Sequence, residues 1–402
     1  MTTSGKYDNE VNKIMIPLSI PLLNGNEKLY VNQALCDGWV SSGGPSVSKF
    51  EDEFACYGGL EYTTACQSGT AAMHLALADA GVGTGDLVAA PTLTFIASIN
   101  PIRYVGAEPV FMDCDDGLCI DPDKFEYYIN EECETRDDGF LYDISLGKPL
   151  KAVIVVHVFG NTVDMERIPA ICKSHNIMLI EDAAEAVGTF YTAGTYKGKM
   201  AGAVGDYGAY SFNGNKIITT GSGGMLTSPE SERVRHMRHL STQAKIDEVY
   251  YLHDEVGYNY RMTNVQAAIG LGQLEQLEMF IDVKRNNYNL YQELGIELLP
   301  FRDGCRPNYW FYSYVCPESG QGAESGGKHY RDKLIRHLFN IGIQTRPIWG
   351  LCHEQPMFMR NKAYRIERAY EYYKRVVNIP CSTNLSEGNV RRVAEEIHAF
   401  GG

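Results

Sequence analysis

No run of about eighteen consecutive apolar residues occurs in this chain, so a membrane-spanning helix is not expected. The first fifteen residues, MTTSGKYDNEVNKIM, lack the apolar centre of a secretory leader and read as a flexible arm, residues 1–15. Positive charge is in short supply. Lys and Arg number 36 against 50 Asp and Glu, a net charge of −14. That balance argues against general binding to nucleic acid or to an anionic membrane, and it leaves an anionic small ligand possible only at a local site. The eleven cysteines contain no CxxC pair and sit mostly singly in apolar or helical surroundings. They suit a reducing cytoplasm better than a disulfide framework or a zinc site, so no metal is expected. A dinucleotide fingerprint is missing too. Gly81-Val82-Gly83-Thr84-Gly85 follows a helix rather than a strand. Gly194–Lys199 is one residue short of a P-loop and has no Ser or Thr after its lysine. His236 and His239 lie three apart on a helix with no carboxylate or cysteine neighbour in sequence to suggest a metal. There are no internal repeats.

What is present is a core-forming chain. At 402 residues and 44% hydrophobic content it is long enough for two or three domains. A helix is expected from Gly25 to Asp37, and another after Pro45, capped by Ser46 or Ser48 and ending near Tyr57. Gln67-Ser68-Gly69-Thr70 opens a helix of small apolar residues that stops at Gly81. Its hydroxyls and glycine make either an ordinary N-cap or a phosphate cup. Leu87–Ala90 reads as a strand, with Pro91–Phe95 starting the next helix. Pro109–Asp113 is another strand, and 131–150 a charged, irregular surface insertion. Lys151–Val158 is a continuous apolar strand, as in a parallel sheet buried on both faces. A helix from Met165 to His175 then leads to a strand at Ile177–Ile180 that ends in Glu181-Asp182. Strand, helix and strand in this order make a βαβ unit, and ligands bind such sheets beyond the C-terminal strand ends. Asp182 and the end of a strand at Tyr207–Phe212 are therefore expected to share one site.

Lys216 follows that last strand, between Asn213-Gly214-Asn215 and the glycine-rich Gly221–Gly224. It is either a surface lysine or an amine that must shed its proton to attack a carbonyl. Further on, Thr263 caps a long helix to about Phe280, and a second runs from about Val283 to Leu294. A domain boundary is placed near residue 280. Beyond it come a strand at Trp310–Val315, a flexible loop at Glu318–Lys328, a helix at His329–Asn340, a strand at Gly342–Arg346, and helices around 363–375 and 386–399.

Taken together, QSGTAAMHLAL, PTLTFIASINPI, VIVVHVFGNTVDM, LIEDAAEAVGTFY, GAYSFNGNKIITTGSGGML and GYNYRMTNVQAAIGLGQLEQL resemble the DegT/StrS family of sugar aminotransferases, within the aspartate aminotransferase superfamily. The resemblance covers roughly residues 16–400. It implies an α/β fold of type I, with a mainly parallel central sheet flanked by helices in a large domain (16–280) and a smaller C-terminal α/β domain (281–402). It implies pyridoxal 5′-phosphate as cofactor. Lys216 would bind the cofactor covalently and move protons. Asp182 would hold the pyridine nitrogen protonated, which makes the ring an electron sink. Phe95 would stack on the ring and Ala184 pack behind it. Ser68, Gly69, Thr70 and Ser211 would bind the phosphate. Asn259 would reach that phosphate from a neighbouring subunit, which implies a homodimer with shared active sites. Glu185 stands where many members carry Gln, so its role near the cofactor's phenolic oxygen is left open. The implied reaction moves an amino group from L-glutamate to the C4 ketone of a nucleotide-linked 4-keto-6-deoxy sugar. FNGNKIITTGSGGM and VHVFGN look most like members acting on UDP-linked N-acetylhexosamines, although FNGNK also resembles the perosamine synthase branch. The alternative is a GDP-linked sugar, as in the perosamine synthase branch. A transfer onto a cyclitol, or a non-catalytic binding protein on the same fold, are the rival readings. Arg261 and Arg346 are candidates for a nucleotide diphosphate contact or for structural salt bridges.

Overall fold

The computed structural model describes residues 15–247, 249–317 and 328–401. The expected N-terminal arm and the Glu318–Lys328 loop therefore lie almost wholly outside the described residues. Eight strands form the spine of the main sheet: β1 (Tyr62–Cys66), β2 (Leu87–Pro91), β3 (Glu108–Met112), β4 (Lys148–Val156), β5 (Met178–Asp182), β6 (Tyr207–Ser211), β7 (Gly224–Ser228) and β8 (Ala363–Tyr364). Their spatial order is β1-β7-β6-β5-β4-β2-β3-β8. Only β7 runs antiparallel to its neighbours in this spine, so the carboxyl ends of the other seven face one edge. Strands β2, β6 and β7 are buried at every position, which is why they read as apolar runs without alternation. Helices follow β1 (α1, Gly69–Asp79) and β4 (α2, Ile168–Ser174). A separate three-stranded antiparallel sheet joins Tyr312–Val315, Val376–Ile379 and Arg346–Pro347.

Four expectations are corrected. The stretch after residue 131 is an ordered hairpin, Cys133–Thr135 with Leu141–Asp143, extended onto the start of β4. One of its acids is internal, while those at its tip are exposed. The buried Asp143 accepts hydrogen bonds from Tyr128 Oη (2.7 Å), Lys362 Nζ (2.6 Å) and Ser145 Oγ (2.7 Å). Pro91 ends a strand instead of starting a helix. Thr92 N–H still donates to the Met112 carbonyl (2.9 Å), which delays helical geometry to Ile96–Ser98 and Asn100–Tyr104. The helix opened by Thr263 breaks at Glu275-Gln276 and not beyond Phe280. One helix, α3 (Asn264–Leu274), gives way to another, α4 (Leu277–Glu293). Thr263 and Gln266 form the reciprocal cap that starts α3. The break is set by side chains across the fold: Gln276 Nε2 donates to Glu27 Oε1 (2.8 Å), and Glu275 accepts from Asn26 Nδ2 (2.7 Å). Finally, Ala363-Tyr364 is an edge strand beside β3, and the helix there starts only at Arg368, where the buried Asp113 carboxylate accepts from Glu367, Arg368 and Ala369 N–H.

Candidate active site

The carboxyl ends of β1, β5 and β6 open on a cavity of about 310 Å³. Ser68, the residue before α1, has extended backbone, and its Oγ accepts from Ala71 N–H (3.1 Å). The ordinary cap is thus present, and Ser68, Gly69 and Thr70 still line the cavity. The close packing requires glycine. A Cβ on Gly69 would meet Ser211 Cβ at 2.8 Å, and one on Gly224 would meet the Ser68 carbonyl at 2.5 Å. These small residues bring the helix N-terminus, with its free N–H groups and positive dipole end, against the end of β6.

Asp182 ends β5 and is buried. Its Oδ2 accepts from Ser98 Oγ (2.7 Å) and its Oδ1 from Ala184 N–H (3.0 Å), so the carboxylate is fixed and points into the cavity. Ser98 is a partner that sequence reading missed, although it lies within PTLTFIAS. Phe95 is 51% exposed and lines the cavity beside Trp349, ring centroids 6.4 Å apart. Lys216 is bound into its turn by a hydrogen bond from its N–H to the Asn213 carbonyl (3.0 Å). Its Nζ lies 3.5 Å from Glu185 Oε1 and 3.9 Å from the centroid of the Trp310 ring.

Glu185 is buried, and its Oε2 accepts from Phe159 N–H (2.8 Å). Phe159 has φ +56°, a left-handed conformation that costs a non-glycine residue roughly 1–2 kcal/mol and that this bond helps to hold. Burial pushes the Glu185 carboxyl up to about 7, with the Asp182 charge adding to the rise and Lys216 and the Phe159 N–H opposing it. A carboxyl that keeps its proton near neutrality can donate a hydrogen bond, as the amide of Gln does. The sign for stability follows. The folded chain holds this proton where the unfolded chain, at about 4.5, has released it, so the Glu185 contribution weakens as pH rises from 4.5 towards 7. In cofactor-free protein the melting temperature of Glu185→Gln relative to the parent is expected to rise over that window. A pH-independent gap between the two melting curves would refute this.

Three other predicted residues lie elsewhere. Asn259 is exposed, outside the cavity of its own chain, and bridges Thr242. Arg261 takes its structural alternative: Nη1 donates to Glu51 Oε1 (2.6 Å), Thr64 Oγ1 (2.9 Å) and the Ala65 carbonyl (2.9 Å). Arg346 is exposed and donates to the Thr345 carbonyl. His236 and His239 do have carboxylate neighbours, contrary to the sequence reading. His239 Nε2 lies 2.7 Å from Asp254, and His236 Nε2 lies 3.1 Å from Glu255, both brought over by a loop distant in sequence. The aromatic wall of Trp310, Phe311 and Trp349 also went unforeseen, because nothing local in sequence says which face a tryptophan presents.

A buried carboxylate after one strand, a lysine after the next, and a hydroxyl-bearing helix N-terminus after a third define a pyridoxal phosphate enzyme of the type I α/β fold. The chain belongs to the DegT/DnrJ/EryC1/StrS aminotransferase family, whose model matches residues 21–398. It is a sugar aminotransferase dependent on pyridoxal phosphate. It is 37% identical to the GDP-perosamine synthase of Escherichia coli O157:H7, over 96% of this chain and 98% of that one. Identity to the GDP-perosamine synthase of Caulobacter vibrioides is 36%, over 94% and 96%. The crystal structure of a DegT DnrJ EryC1 StrS aminotransferase from Brucella abortus superposes with a TM-score of 0.82 at 26% identity, covering 94% of this chain and 95% of that one. The expected kinship with UDP-sugar enzymes is corrected by the two relatives at 37% and 36% identity, which are GDP-perosamine synthases. One of the motifs that suggested it, FNGNK, resembles the perosamine synthase branch as well.

Proposed function

We propose that this protein transfers the amino group of L-glutamate to the C4 ketone of a GDP-linked 4-keto-6-deoxyhexose, as in a perosamine synthase. The observation that carries this reading is the match, along nearly the whole chain, to two GDP-perosamine synthases. The cavity supports it, since it holds the lysine and carboxylate that such a transfer needs.

When bound, pyridoxal phosphate supplies an electron sink that lets a proton leave the carbon bearing the amine. The chain's residues do the rest. Lys216 anchors the cofactor, and its amine then takes the proton from one carbon and returns it at another. Asp182 keeps a proton on the pyridine nitrogen. Ser68, Gly69, Thr70 and Ser211 would hold the phosphate, Phe95 and Ala184 would flank the ring, and Glu185 lines the same cavity. Asn259 serves the site of a second subunit. Support for such a homodimer comes from the segment around Lys245–His253, where Ile246, Val249, Tyr250, Tyr251 and Leu252 are all exposed, a large apolar surface for a lone chain. Residues 16–280 would form the large domain and 281–402 the small one. Among the described residues no helix is long and apolar enough to cross a membrane.

The test is mass spectrometry of products from L-glutamate and either GDP-4-keto-6-deoxymannose or a UDP-linked 4-keto-6-deoxy-N-acetylhexosamine, on protein whose mass in solution has been measured by light scattering. Amination of the GDP sugar by a dimer is expected. Amination of the UDP sugar alone would overturn the substrate assignment, and full activity in a monomer would overturn the shared site.

A further inference from the structure

Glu185 and the face of Trp310 both lie close to the Lys216 amine, at 3.5 Å and 3.9 Å. Trp310 is 3% exposed and is held from several sides. Its Nε1–H donates to the carbonyl of Asn215, the residue before Lys216, at 2.7 Å. Its ring stacks on Phe311, with centroids 4.1 Å apart and planes at 21°, and leans on Phe159 at 6.0 Å. Its backbone N–H donates to Asn308 Oδ1 (2.9 Å). Asn308 Nδ2 in turn donates to the carbonyls of Glu185 (2.8 Å) and Val187 (2.9 Å). One segment, 308–311, therefore ties the loop after Asp182 to the turn carrying Lys216.

From this geometry we propose that Trp310 is a positioning residue for the Lys216 amine: its indole face is where the amine rests whenever it is not joined to the cofactor. The inference rests on the proposed role of Lys216 as anchor and proton carrier. An ammonium is drawn to the negative face of an indole, most strongly in a site with little water. On releasing the cofactor the amine needs a place close to the reacting carbons, and a flexible four-carbon stem does not supply one by itself. The indole does, and the Nε1–H bond to Asn215 keeps ring and lysine turn in register. Losing the proton weakens this attraction, so the amine leaves the ring in the form that can attack or accept a proton. Trp310 touches neither donor nor acceptor in this account. It acts through Lys216.

The test compares Trp310→Leu with Trp310→Phe in the dimeric enzyme. Phe keeps an aromatic face and loses the N–H bond. For Trp310→Leu, kcat for the half-reaction with L-glutamate is expected to fall by about tenfold to a hundredfold, with KM for glutamate changed far less. The rate at which cofactor-free protein forms its covalent link with added pyridoxal phosphate is expected to fall in parallel. Trp310→Phe should recover most of both rates. Unchanged rates in Trp310→Leu would overturn the proposal. So would equal losses in the two variants, or a loss in Trp310→Leu matched by a fall in folded protein on thermal melting. The half-reaction uses no acceptor, so a wrong sugar assignment leaves the test intact. Borohydride reduction followed by peptide mapping checks the anchor separately, and a label on a lysine other than Lys216 would remove the reading on which the inference rests.

Discussion

Lys216→Ala is expected to abolish amino transfer, with kcat falling by more than about a thousandfold, while the fold is retained. The side chain meets the core at the face of Trp310, a ring that is held by partners of its own. It extends from a turn into the cavity and is 12% exposed. On the proposed roles, removing it deletes both the amine that would anchor the cofactor and the base that would move the proton. Among the described residues no second lysine lines the cavity to replace it. The variant should bind pyridoxal phosphate without a covalent link, so that borohydride reduction leaves the protein unlabelled in mass spectra. Turnover within tenfold of the parent would sink the assignment.

The second large effect is expected at Asp182. Asp182→Asn keeps the size of the side chain, and an amide can still accept from Ala184 N–H and meet Ser98 Oγ, the two partners that fix the carboxylate. What it loses is a fixed negative charge in a buried site. A neutral amide no longer favours a protonated pyridine nitrogen, so the ring withdraws electrons poorly just as the carbon must give up its proton. By comparison with the loss of other preorganised polar groups, kcat of the glutamate half-reaction should fall about a hundredfold to a thousandfold, with the thermal midpoint little changed. A half-reaction at the parent's rate would show that the ring needs no charge from Asp182.

These predictions could be framed from sequence because chain order and strand ends already place the residues. Apolar runs such as KAVIVVHV and the Glu181-Asp182 ending mark parallel strands by burial alone. The fold rule then puts their carboxyl ends, and so Asp182 and Lys216, on one edge. What stayed hidden depends on contacts between distant segments. Ser98 meets Asp182 across 84 positions, and the Trp310 indole meets the Asn215 carbonyl across 95. No local pattern carries that information. The same holds for the helix break at Glu275-Gln276, where a turn of nearly helical backbone is fixed by Glu27 and Asn26 from the far end of the chain. The hairpin at 133–143 was illegible for a related reason. Its acids look solvated in sequence, yet Asp143 is fully buried against Lys362. The leaning towards UDP-sugar relatives went astray because a stretch that suggested it, FNGNK, resembles the perosamine synthase branch as well.

The edge strand Ala363-Tyr364 bears on how the molecule is made. It pairs with Phe111 and Met112, residues synthesised some two and a half hundred positions earlier. During translation the other strands of the sheet emerge first, and β3 waits at the rim with its backbone N–H and C=O groups unsatisfied on one side. An open rim of that kind invites pairing with another chain. The late arrival of β8 closes it from within the same molecule. Completion of the sheet therefore waits until residue 364 has been made, and a chain interrupted before residue 363 is left with a sticky edge.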